Sequence, residues 1–241
     1  MLNQLLGEFF GTMMLIVLGN GAVASALLNK SKGQNAGWIA ITTGWFVAVV
    51  IAVFVAQSLG SPNADINPAI SLVKYCWHYY PLNQTLYFML AQLSGAFLGA
   101  ALVWLAYLPH WKETHDQHIK LIVFSTQPAI RAYSQNVLCE AIATAVLVLG
   151  VAAIFSKATQ GNPAAGLGPY LVGILVWGIG LSLGGATGYA INPARDLGPR
   201  LAHAVLPIAG KGSSDWSYAW VPVAGPFIGG MAAAWMWHWM L

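Results

Sequence analysis

The tetrapeptide Ile-Asn-Pro-Ala occurs twice in this chain, at Ile66–Ala69 and at Ile191–Ala194. Each copy opens a run that looks like half a membrane helix, Asn67 to about Cys76 and Asn192 to about Ala204. Proline is favoured in a first helical turn, where its missing N–H has no partner to lose and its fixed φ already suits a helix. Two short helices that begin in the same way imply one site built twice.

The surroundings suit such a site. Hydrophobic residues make up 58% of the 241 positions and charged residues 7%, too little charge for a surface facing water. Several apolar runs approach the ~20 residues that span ~30 Å of hydrocarbon as a helix. We therefore expect an all-α membrane protein. No basic segment precedes the first run and Glu8 lies inside it, so it reads as a first membrane helix and not as a cleaved leader. The net charge of +3 is dispersed over loops, with no basic cluster for nucleic acid. Cys76 and Cys139 stand alone in apolar context and read as small buried hydrophobes.

Full-length helices are expected at about Leu5–Leu28, Gly37–Ala56, Asn83–Leu108, Asn136–Phe155, Gly168–Leu183 and Trp220 to the end, where Trp235, Trp237 and Trp239 suit an interfacial belt. His110 to Arg131 is the longest polar segment and the natural midpoint. On either side the chain repeats. Glu8 and Thr12 in the first helix match Glu140 and Thr144 in the fourth, and each half later delivers an Asn-Pro-Ala. Three full helices per half is an odd number, so the second half sits upside down relative to the first. The expected organisation is one domain, 1–241, whose inverted halves (about 1–109 and 132–241) are joined by loop 110–131. In such repeats, sites form near the midplane where discontinuous helices meet.

Two half-helices entering from opposite faces aim unpaired backbone N–H groups and the positive ends of their dipoles at the bilayer centre. Asn67 and Asn192 add amide donors there, flanked by Pro68, Ala69, Pro193 and Ala194. Arg195, one turn into the second half-helix, faces nearly the same way. A buried arginine is costly and marks function in a membrane core. The competing reading is a structural pair with Asp196, although adjacent helical residues point ~100° apart. Glu8 and Glu140, the acidic residues inside full spans, suit either a proton relay or a scaffold accepting backbone N–H groups. Their symmetric placement favours the scaffold. A third triplet, Asn162-Pro163-Ala164, is flanked by glycines and reads as a turn. His115 and His118 are spaced H-x-x-H, but no nearby Cys or Glu completes a metal site, so a solvated loop is expected.

The paired tripeptides with Arg195-Asp196 resemble the major intrinsic protein family, and within it the glycerol facilitators (aquaglyceroporins). The resemblance covers nearly the whole chain and implies an aquaporin-like fold of six transmembrane helices plus two re-entrant half-helices. It implies a passive channel for glycerol, water and other small neutral solutes, with no cofactor and no catalysis. It also implies a homotetramer in the cell membrane with both termini cytoplasmic, against a count of loop lysines and arginines that would put the termini outside. The family's aromatic/arginine constriction carries over to Trp45, Gly180, Tyr189 and Arg195. Gly180, in place of a larger side chain, implies a wider opening. Carbonyls of Asn63, Ala64, Asp65 and Ala190 would line the pore. Tyr189 stands where similar channels have Phe, and Asp65 where they have His. Asp65, beside the half-helix dipole, is expected to bias the inner vestibule against anions. A water-selective channel, a channel for protonated acids such as lactic acid, and an ion-coupled transporter are the alternatives. The last would need a coupling site.

Overall fold

The computed structural model describes residues 1–156, 163–164 and 166–240. In chain order its helices are α1 (Leu2–Leu27), α2 (Gly37–Ser58), α3 (Pro68–Cys76), α4 (Leu82–Ala106), α5 (Leu108–Glu113), α6 (Gln117–Phe124), α7 (Tyr133–Ile154), α8 (Leu167–Ser182), α9 (Gly184–Thr187), α10 (Pro193–Val205) and α11 (Val221–Met240). The described residues contain no strand. The expected spans α1, α2, α4, α7, α8 and α11 and the half-helices α3 and α10 appear within a few residues of their predicted ends. By length and composition alone, α1, α2, α4 and α7 suffice to cross a membrane. The third Asn-Pro-Ala begins at Asn162, outside the described residues.

The helices are apolar outside, and small and polar residues stand among the large apolar ones inside. On α4 the buried face carries Thr85, Gln92, Gly95, Ala96, Gly99 and Ala100 between Phe88 and Val103, while Leu90, Leu98, Leu102 and Leu105 point outward. Lipid offers apolar side chains the same environment as a protein core. Association therefore rests on close backbone approach and on polar side chains that find partners. A Cβ on Gly95 would lie 2.1 Å from the Phe9 carbonyl oxygen, and one on Gly229 1.9 Å from that of Ala141. Each glycine belongs to a Gly-x-x-x-Gly pair, Gly95/Gly99 on α4 and Gly225/Gly229 on α11, which brings the third helix of a half against the first.

Accordingly α1 packs on α2 and α4, and α7 on α8 and α11. The half-helices are wedged between the third helices of both halves: α3 touches α4 and α11, and α10 touches α4 most and α11 besides.

Segment 110–131 departs from the solvated loop expected of it. Its apolar residues have a helical pattern that polarity concealed, and it folds into the end of α5 and all of α6, burying Trp111, Leu121, Val123 and Phe124. Asp116 caps α6, accepting from the backbone N–H of His118 at 2.7 Å and of Ile119 at 3.3 Å. This packs α6 on α1 and α10. His110 bonds the Asn29 carbonyl at 3.0 Å, and His118 faces a cavity described below.

Candidate functional site

The half-helices meet through their asparagines. Asn67 Oδ1 accepts from the N–H of Ala69 (2.9 Å), and Asn192 Oδ1 from Ala194 (3.0 Å) and Arg195 (3.2 Å). With the oxygen committed to the helix cap, each amide nitrogen faces the opposite entrance. Asn67 Nδ2 donates to Ile191 O and Asn192 Nδ2 to Ile66 O, both at 2.8 Å. An amide nitrogen carries two hydrogens, so one remains on each asparagine after this crosswise tie.

The segments leading into the half-helices are strained in matching places. Ala64 and Ile66 have φ of 41° and 44°, and Tyr189 and Ile191 have 39° and 45°. For bulky or β-branched residues this region is unfavourable. Two buried carboxylates hold it. Glu8 accepts from the N–H of Asp65 (2.9 Å) and Ile66 (2.7 Å), from Ser61 Oγ (2.6 Å) and from Gln92 Nε2 (2.8 Å). Glu140 accepts from the N–H of Ala190 (3.0 Å) and Ile191 (2.9 Å) and from Thr187 Oγ1 (2.6 Å). Each N–H so held lies in the strained stretch.

Two cavities adjoin this centre. An outer one of about 200 Å³ is lined by Trp38, His118 and Ser125 among others. An inner one of about 1150 Å³ runs past Asn67, Asn192 and the segment holding Asn63, Ala64, Asp65 and Ala190. Trp45, Tyr189 and Arg195 border both. The Arg195 guanidinium carbon lies 4.1 Å from the Trp45 ring centroid, a cation–π contact, and Nη1 donates to Phe124 O at 3.4 Å. Asp196 does not pair with Arg195. It accepts from Arg200 Nε (2.8 Å) and from Thr126 N and Oγ1 (both 2.7 Å). The Arg195 charge is therefore left facing the cavities.

Two expectations change. Gly180 does not widen the passage and borders neither cavity. A Cβ there would lie 2.7 Å from Tyr189 Cζ and 2.9 Å from its Oη, so the vacated space is filled by the phenol. Asp65 does not charge the inner vestibule either. Its side chain is fully buried, paired with Lys74 and accepting from Ser71 Oγ (2.8 Å) and Tyr80 Oη (3.2 Å). The neighbouring ammonium cancels the charge that the sequence suggested.

The sequence reading missed Trp38, which donates Nε1 to Gly180 O at 3.1 Å and meets the Tyr189 ring edge-on. Seven residues before Trp45, it lies two turns away on the same helix face, and that spacing was the available signal. Lys211 was missed too. Its Nζ donates to the carbonyls of His203, Ala204 and Leu206 at 2.6–2.7 Å, closing the end of α10; a lysine shortly after a helix end was the available signal.

The family model described as "Major intrinsic protein" matches residues 1–237. A probable glycerol uptake facilitator protein of Thermotoga maritima is 54% identical over 235 residues, 98% of each chain. Glycerol uptake facilitator protein 3 of Lactiplantibacillus plantarum is 55% identical over 231 residues, 96% of this chain and 94% of that one. Among solved structures, the aquaglyceroporin of Plasmodium falciparum superposes with a TM-score of 0.84 at 27% identity, covering 98% of this chain and 95% of that one. The half-helices, their asparagine ties and the match along almost the whole length lead to one conclusion: this chain is a multi-pass membrane protein of the major intrinsic protein family.

Proposed function

We propose that the protein is a passive channel for glycerol and other small neutral polyols, with water passing by the same route. The observation that carries this reading is the junction of the two cavities at Trp45, Tyr189 and Arg195. There the ring faces offer a carbon backbone an apolar side, and the guanidinium offers its hydroxyls fixed donors. Deeper in, the spare amide hydrogens of Asn67 and Asn192 take over as donors, and the carbonyls of Asn63, Ala64, Asp65 and Ala190 serve as acceptors. A solute exchanges its water shell for these groups in steps, so neither tight binding nor energy input is needed.

The same centre rejects ions. Two helix N-termini, each with roughly half a positive charge, and an arginine without a carboxylate partner oppose cations. Donors on both sides orient a central water with its oxygen toward the asparagines and interrupt proton hopping. Glu8 and Glu140 act as scaffolds for the strained segments, because their acceptor positions are occupied by backbone and side-chain donors. We assign the inverted halves, a homotetrameric assembly and cytoplasmic termini on the same reading.

Stopped-flow light scattering on proteoliposomes, with glycerol and water gradients in parallel, tests the proposal. Glycerol permeability well above that of empty liposomes is expected, and none above that background would overturn it. The phenol filling the space over Gly180 favours one second reading, a water-selective channel, which the same pair of gradients separates.

A further inference from the structure

The phenol of Tyr189 occupies a socket with two bare glycines in its wall. A Cβ on Gly180 would meet Tyr189 Cζ at 2.7 Å, and one on Gly184 would meet Tyr189 Cδ1 at 2.4 Å and Trp38 Cζ2 at 2.8 Å. Gly180 lies near the end of α8 and Gly184 opens α9, and both face the same ring. Trp38 closes the socket from the outer cavity. Its ring stands edge-on to Tyr189, with centroids 5.8 Å apart and planes at 81°, and its Nε1 bond to Gly180 O fixes the indole in place.

The Tyr189 hydroxyl is not satisfied by this arrangement. It is shielded from solvent and has no hydrogen-bond partner among the described residues. A buried hydroxyl without a partner is unfavourable relative to one that finds an acceptor. The ring borders both cavities, so the nearest place to find one is the passage itself. Packing alone keeps the ring seated, and Trp38 supplies the part of it that a single side chain can remove.

We infer that Trp38 is a positioning residue for solute selection: it holds Tyr189 in the Gly180/Gly184 socket and so sets the gap between Tyr189 and Arg195. The inference rests on the channel reading above. Without Trp38 the ring leaves the socket, its hydroxyl enters the passage, and the gap narrows more for a polyol than for water.

The test measures water and glycerol permeability in proteoliposomes for the wild type, W38A, W38F, and W38A combined with Tyr189→Val. W38A is expected to lower the glycerol-to-water ratio by about tenfold, within the range that pocket fit alone supplies. W38F keeps a ring but loses the Nε1 donor, and should give a smaller fall. Removing the ring that has escaped, with Tyr189→Val in the W38A background, should return the ratio to the wild-type value or above. A role confined to general stability would not be rescued in this way. An unchanged ratio in W38A, or in W38F should W38A fail to assemble, overturns the inference, as does failure of Tyr189→Val to restore it. The wild type alone decides the glycerol reading. Should it conduct only water, water permeability becomes the readout that W38A must lower and the double variant restore.

Discussion

The entrance to α3 and the entrance to α10 are built alike and used differently. Both have a glutamate from the first helix of their half, two positive-φ residues, a capping asparagine and a proline. They diverge one turn in, where Asn67 is followed three residues on by Ile70 and Asn192 by Arg195. They also diverge two residues before the asparagine, where Asp65 stands in one and Ala190 in the other. What the halves share holds the backbone in a strained shape. On the channel reading proposed above, what they do not share decides what passes, and it lies almost wholly on the α10 side, where Arg195 meets Trp45.

The shared part can be attacked first. Replacing Glu8 or Glu140 with Gln puts an NH₂ against backbone donors and leaves at least one buried N–H unpaired. Each variant should lose about 3 kcal/mol or more, read as thermal unfolding in detergent. The comparison breaks if one tolerates the change and the other does not. The unshared part gives the next largest effect. Arg195→Leu should raise proton or cation leak by about tenfold or more, measured with a pH-sensitive dye inside proteoliposomes, while Ile70→Ala leaves the leak near the wild-type level.

Asp65→Asn sharpens the other difference. The buried partner of Lys74 is lost, so stability should fall by about 1–3 kcal/mol, while the ratio of solute to water permeability stays constant. A changed ratio would return Asp65 to the selective part. The smallest effect lies outside the membrane, where Arg131 pairs with Asp215. The guanidinium's hydrogen bonds hold the Asp215 carboxyl below its ordinary 3.8. The pair's contribution is therefore complete above that value and is lost as pH falls through the lower folded one. For a pair this exposed, Asp215→Asn should cost under about 1 kcal/mol at neutral pH, and less as the medium is acidified below pH ~4.

Much of this plan was legible in the sequence because lipid makes periodicity simple. Spans within a few residues of their true ends, both half-helices and the separation of Arg195 from Asp196 follow from run length, proline placement and helix angle. Three things did not. Segment 110–131 looked like plain loop because its charges mask the helical spacing of Lys120, Leu121 and Phe124, which are buried on α6. Asp65 looked like a free charge because Lys74, nine residues on, comes to it only once α3 has formed. Gly180 looked like an opening because a missing side chain says nothing about which neighbour fills the space, and that neighbour, Tyr189, arrives on a strained backbone. The Gly95/Gly99 and Gly225/Gly229 pairs were readable as close helix contacts and went unused.

The position of α3 between α4 and α11 bears on how the chain is made. One wall, α4, follows almost at once, but the other begins 145 residues after α3 ends (221 − 76). At the ~5–20 residues per second of synthesis, the short helix waits on the order of ten seconds with one side unsupported. Its partner α10 enters with α4 already in place and α11 soon to follow. The entrance at α3 is thus completed only by α11, and the newborn chain must shelter it unfinished while α4 to α10 are made.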